Sequence, residues 1–240
     1  MAEDFPHASI VEGVRFTAQI GVPNVLLGLF NKRELPTRIA SGLSSDYLGY
    51  QLVEGMVRSY GPSPFYVRVV ADEALLVHHP DDLEFVLGGS PDPFASDPKP
   101  KREGMAAFQP DALTISRGQP WEDRRRFAEA VLDTGHPVHR LAQAFVEKVA
   151  QTVAGLGAGA LKWSDWNAAF QRLTRCVVFG DKAADDARLT SQLSELMSAG
   201  NGMPGEPAPG YPDFVSHIES YLKEPEPGSL AALIAETTPP

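Results

Sequence analysis

The stretch from Gly118 to Asp133 constrains this chain more than any other, because it can be little else than one amphipathic helix. Pro120 suits a first helical position, where the missing N–H is no loss. Glu122 and Asp123 fall in the first turn, at the helix's positive end. Gly135 and Pro137 punctuate the far end. At 100° per residue Trp121, Arg125, Ala128 and Leu132 form one narrow stripe, flanked by Arg124, Phe127 and Val131. Glu122, Arg126, Glu129 and Asp133 take the opposite side. The spacing therefore puts an indole N–H and at least one guanidinium on or beside the apolar face. Cations in that position suit an anion held near the core.

Other helices are expected around it. Ser44–Tyr60 carries Tyr47, Leu48, Leu52, Met56 and Tyr60 near helical spacing and ends at Gly61-Pro62. Phe65–Val70 and Ala74–His78 read as two strands of a hairpin turning at Ala71-Asp72-Glu73. His79-Pro80 starts a helix that Gly88-Gly89 stops. Further helices are predicted over Pro137–Val153, Ser164–Phe179, Asp185–Ala199, Tyr211–Leu222 and Ser229–Glu236. Residues 1–30 read as an irregular arm packed on the domain, with Val22–Phe30 as its apolar segment. Ser90–Gly118 has no periodicity. It carries Phe94, Met105, Phe108, Leu113 and Ile115, too many apolar groups for a solvated linker, so it should fold over something. Gly200–Pro212 reads as a Pro/Gly loop. The expected class is mainly α with a small β-hairpin (α+β). The expected organisation is one incomplete domain: an arm to residue 40, a helix, hairpin and loop region over 41–118, and a helical region from 119.

Charge and cysteine count exclude several functions. A net charge of −10 argues against a general nucleic-acid binder. A single cysteine allows no internal disulfide framework. No apolar run is long enough to span a bilayer and no secretory leader is recognisable, so a cytoplasmic protein without membrane contact is expected.

Local chemistry is sparse. Cys176 sits mid-helix at apolar spacing and reads as a buried, inert thiol. His78 and His79 would point to opposite faces of a strand. His136 and His139 lie at i, i+3 without a third ligand. Gly155-Leu-Gly-Ala-Gly159 lacks the Lys-Ser/Thr of a phosphate loop. No Gly-x-Ser-x-Gly elbow supports a hydrolase.

Taken in order, the elements resemble the N-terminal half of a cytochrome P450 of the soluble bacterial type. Tyr60-Gly61-Pro62 precedes the hairpin, and His79–Leu87 resembles the family's next helix. The loop 90–118 resembles the variable segment over the haem. Gly118-Gln-Pro-Trp121-Glu-Asp-Arg-Arg125-Arg126 resembles the family's Gly-x-x-Trp-x-x-x-Arg-Arg, and Asp165–Phe179 with Gly180-Asp181 its following Phe-Gly helix end. The resemblance runs from about residue 40 onward. It implies haem as cofactor, with Trp121 and Arg125 on a propionate and Arg124 in reserve. It implies Phe108, Leu113, Ile115 and Met197 as substrate-pocket residues, and Arg126 as a contact for a ferredoxin or flavodoxin electron donor. The implied parent activity is monooxygenation of a small hydrophobic organic substrate with O₂ and two electrons.

The family's Glu-x-x-Arg and its Phe-x-x-Gly-x-x-x-Cys-x-Gly loop, whose thiolate is the axial ligand, are not in these 240 residues. The resemblance thus implies the N-terminal portion of a longer enzyme, with no catalytic residue and no metal ligand here and no activity as this chain alone. The alternative is a haem-free helical binding or interaction protein that retains part of that scaffold.

Overall fold

A capping box opens the first helix. Ser9 accepts the Glu12 backbone N–H, the Glu12 carboxylate accepts the Ser9 N–H at 2.9 Å, and the Tyr60 hydroxyl donates to the same carboxylate at 2.5 Å. In this computed structural model, which describes residues 5–70, 72–157, 159–202 and 207–238, the chain forms two compact units divided after Ser96. Both are mainly helical, and a two-stranded antiparallel sheet lies in the first.

The first unit runs α1 (Ile10–Phe16), a π turn (Thr17–Gly21), α2 (Val22–Leu27), α3 (Glu34–Gly42), α4 (Ser45–Tyr60), β1 (Phe65–Val69), β2 (Asp72–Leu76) and α5 (Pro80–Gly88). Its core joins Leu52 and Met56 of α4 to Phe65 and Val67 of β1. The i, i+4 pair on the helix meets the i, i+2 pair on the strand. Gly13 lets α1 lie against β1: a Cβ there would come 3.1 Å from the Arg68 carbonyl oxygen.

The expected irregular arm is instead helical. Gly13, Gly21 and Pro23 interrupt the pattern in the sequence, but Gly13 is a contact point and Pro23 lies in the first turn of α2. α3 was not foreseen and crosses the expected boundary at residue 40. β2 begins two residues early: Asp72 pairs with Val69 and Glu73 with Arg68. The reversal therefore falls before Asp72, with Val70 at φ 59°. Ala71 of the expected turn lies outside the described residues. His78 lies past the strand, near the Ser63 carbonyl. His79 caps α5 as expected, accepting the Asp81 N–H.

The second unit comprises α6 (Lys99–Met105), a 3₁₀ turn (Leu113–Ile115), α7 (Gly118–Leu132), α8 (Ala142–Gly155), α9 (Trp163–Phe179), α10 (Ala187–Gly200), α11 (Tyr211–Lys223) and α12 (Leu230–Glu236). α12 touches α7, α9 and α11 and buries Ala231 and Leu233, so this short apolar helix closes the core. The stretch 90–118, expected to lack periodicity, contains α6 and the 3₁₀ turn, and it buries Met105, Ala107 and Phe108.

α7 starts at Gly118, so Pro120 is its third residue. It ends at Asp133, which adopts a left-handed conformation at φ 56°, two residues before the expected Gly135. α8 begins at Ala142, five residues after Pro137. The intervening turn is held by Asp133, whose carboxylate accepts the Arg140 N–H at 2.8 Å. Ala158 of the expected glycine-rich break and residues 203–206 of the expected loop lie outside the described residues.

Candidate functional site

The geometry around α7 begins one residue before it. Arg117 donates to the buried Asp97 carboxylate at 2.8 and 2.9 Å, and Arg102 reaches the same group at 2.7 Å. Asp97 is only 3% exposed. Arg117 foremost, with Arg102, holds its carboxyl at about 2 against the opposing effect of burial. This clasp ties both ends of the 97–117 segment together and sets the starting direction of α7.

The helix then presents a different face from the one expected. Val131 is buried and Leu132 is 52% exposed, so the packed side runs along Phe127 and Val131. The Trp121–Arg125–Leu132 stripe lies at the solvent boundary. A helical wheel sets angles between residues; the clasp at Arg117 and the contact with α12 set where zero lies. Arg125 and Trp121 still meet, with the guanidinium carbon 5.9 Å from the indole centroid. Arg125 Nε donates to Glu129 at 2.5 Å. Arg124 is half-buried and committed, to Asp111 at 2.9 Å and to the Ser116 hydroxyl. Arg126 points outward, 73% exposed and 3.6 Å from Asp123.

Of the four expected pocket residues, the structure brings two together. Phe108 and Leu113 line an open groove of about 500 Å³ with Tyr211, Phe214 and Ile218 of α11. Ile115 and Met197 do not line it. A neighbouring apolar groove of about 400 Å³ shares Phe214 and Ile218 and continues between α9 and α10 past Phe170, Val178 and Leu193. Gln109 is common to both.

Three further polar groups carry no signal in the sequence. Arg175 is buried in α9, its guanidinium donating to the Ala183 and Ala184 carbonyls and, at 2.6 Å, to Thr190. Asp97 lies in the stretch 90–118, which has no apolar periodicity to mark a buried carboxylate. Asp186 gathers the Tyr221 hydroxyl at 2.7 Å and His217 at 2.8 Å, while the other His217 nitrogen lies 2.7 Å from Gln192. Burial and this carboxylate push the Tyr221 hydroxyl to about 12. On Asp186, the two donors outweigh burial and hold its carboxyl low. Helical periodicity reports apolar faces, so it gives no sign of polar groups buried between elements.

Cys176 is buried within α9, and burial pushes its thiol up, as a structural cysteine requires. His136 and His139 are engaged within the α7–α8 turn, with Asp133 and with the Val131 carbonyl. No group of three or more His, Cys, Asp or Glu side chains is placed to hold a metal among the described residues. No family model, curated protein or solved structure matches the chain.

The described residues fit a haem in part. Trp121 and Arg125 offer an indole N–H and a guanidinium on one face, which suits a propionate. Cys176, raised in pKa and enclosed by α9, does not fit the role of an axial thiolate.

Proposed function

We propose that this chain is the N-terminal portion of a cytochrome P450-like haem-thiolate monooxygenase that oxidises a small hydrophobic organic substrate with O₂ and two electrons. The observation that carries the reading is the Trp121–Arg125 pair. It is a cation and a neutral donor one turn apart, on a face of α7 that the rest of this chain leaves at the solvent boundary. An anionic group arriving there would compete with Glu129 for Arg125. The order helix, hairpin, helix, loop, then the Trp-x-x-x-Arg helix supports the same reading. The groove beside Phe108 and Leu113 supplies an apolar wall for a substrate. Arg126, exposed on the outer side of α7, is the residue we assign to an acidic ferredoxin or flavodoxin donor. Haem, once bound by the complete enzyme, would supply oxygen activation; this chain's own residues position its anionic edge and shape one pocket wall.

Two measurements test the reading. The reduced, carbon monoxide-treated spectrum of this chain mixed with haem should lack a thiolate-type Soret band; observing one would overturn the division of labour proposed here. The DNA following the Pro240 codon should continue in frame to a Glu-x-x-Arg and a Phe-x-x-Gly-x-x-x-Cys-x-Gly. A stop codon with no such frame would favour a haem-free helical binding protein. In the complete enzyme, Arg125→Ala should lower haem occupancy.

A further inference from the structure

α2 is apolar on two sides, and only one of them is used within the first unit. Pro23 and Leu27, with Ile20 of the preceding π turn, line a recess against α4 together with Gly49 and Val53. Gly49 permits the approach, since a Cβ there would lie 3.2 Å from Ile20. On the other side Val22, Val25 and Leu26 are exposed within an arc of about 100°. Leu29 follows, also exposed. α3 repeats the arrangement: Leu35 and Ile39 at i, i+4 are 68% and 55% exposed, and Leu43 beyond its end is 67% exposed.

Cations border this apolar surface. Between residues 22 and 43 lie Lys32, Arg33 and Arg38 against one carboxylate, Glu34, and all four are exposed. Arg33 donates to the Val25 and Leu26 carbonyls, which fixes a guanidinium beside the α2 stripe. The stretch is positive in a chain whose net charge is −10. Aliphatic side chains flanked by Lys and Arg suit the plane of a lipid headgroup layer, where apolar groups enter the acyl boundary and cations meet phosphates. A second copy fits poorly: a two-fold contact through this face would bring together two patches of the same net positive charge.

We propose that residues 22–43 dock the protein on an anionic lipid surface, lying in the interface and not crossing it. No helix among the described residues is long and apolar enough to cross a membrane. Membrane contact in this mode needs no spanning segment. The proposal does not depend on the haem reading.

Co-sedimentation of the full chain tests it, using phosphatidylcholine vesicles with and without phosphatidylglycerol. Binding is expected only to the phosphatidylglycerol-containing vesicles and should weaken as salt rises. The double substitution Leu26→Glu, Leu29→Glu should reduce it at least about tenfold. Arg38→Glu alone should reduce it about fivefold or more. Each position is exposed, and unchanged circular dichroism checks that folding is intact. Trp163→Ser, an exposed position in the second unit, should leave binding unchanged. The proposal is overturned by no binding, by equal binding to neutral vesicles, or by loss of binding in Trp163→Ser. It is equally overturned if Leu26→Glu instead abolishes a dimer in solution, which would assign the face to a second copy.

Discussion

Asp97 shows what a single buried carboxylate does here. It accepts Arg102 from five residues on and Arg117 from twenty residues on, and leaves no polar atom of its own unanswered. Both guanidinium groups are about half exposed, so solvent screening limits the gain. Asp97→Asn should cost about 1–2 kcal/mol in urea unfolding. The folded carboxyl titrates at about 2, below the ordinary aspartate value of about 3.9. Its contribution is therefore complete above pH ~4 and lost as pH falls toward ~2. The wild-type protein should lose stability over that window more steeply than Asp97→Asn, as acid titration followed by circular dichroism would show. Arg175 is the cationic counterpart, satisfied by two carbonyls and a threonine hydroxyl. Arg175→Met removes donors from buried acceptors and should cost about 2–4 kcal/mol by the same unfolding measurement.

At the level of elements, close backbone approach decides where helices can lie. α10 meets α6 at Gly200, where a Cβ would stand 2.6 Å from the Gly104 carbonyl oxygen and 3.2 Å from the Phe108 ring. A carbonyl in a helix cannot swing away as a side-chain tip can. Gly200→Ala should therefore force the two helices apart, lower the melting temperature by the equivalent of about 1–3 kcal/mol, and disturb the wall that Phe108 gives to the groove. Gly42→Ala, where nothing lies within 4 Å, should not destabilise and serves as the control. The α7–α8 turn works differently. It is built from Asp133 and its partners His136 and Arg140, so its geometry follows a hydrogen-bond set and not a glycine.

For the molecule as a whole, charge and exposed apolar surface act together. Aliphatic side chains stand open on α1 to α3 in the first unit and on α8 in the second, including Val146 and Val153. At neutral pH a net charge of −10 opposes association. Near the isoelectric point, about 5.0, that repulsion vanishes. Light scattering should rise sharply as pH falls from about 8 to about 5 and reverse on return, provided the descent stops above the range in which Asp97 titrates.

The residues by themselves determined the helices whose ends carry chemical punctuation. α4 ends at Gly61, α5 starts at His79-Pro80, α9 ends at Gly180 and α12 starts at Ser229. They also determined the mainly helical class with one hairpin, because helical and strand periodicities differ. The Trp121–Arg125 adjacency was legible for the same reason: i, i+4 spacing holds wherever the helix is placed. Only the tertiary structure decided which side of α7 is packed, because that depends on the Asp97–Arg117 clasp and on α12, far along the chain. It also decided that residues 10–27 are helical and not an irregular arm, since Gly13 and Gly21 lie where Arg68 and Val69 of β1 come close. Ile115 and Met197, which the resemblance implies as pocket residues, do not line the groove of Phe108 and Leu113. Spacing specifies a face of an element, and burial depends on which neighbour arrives to cover it.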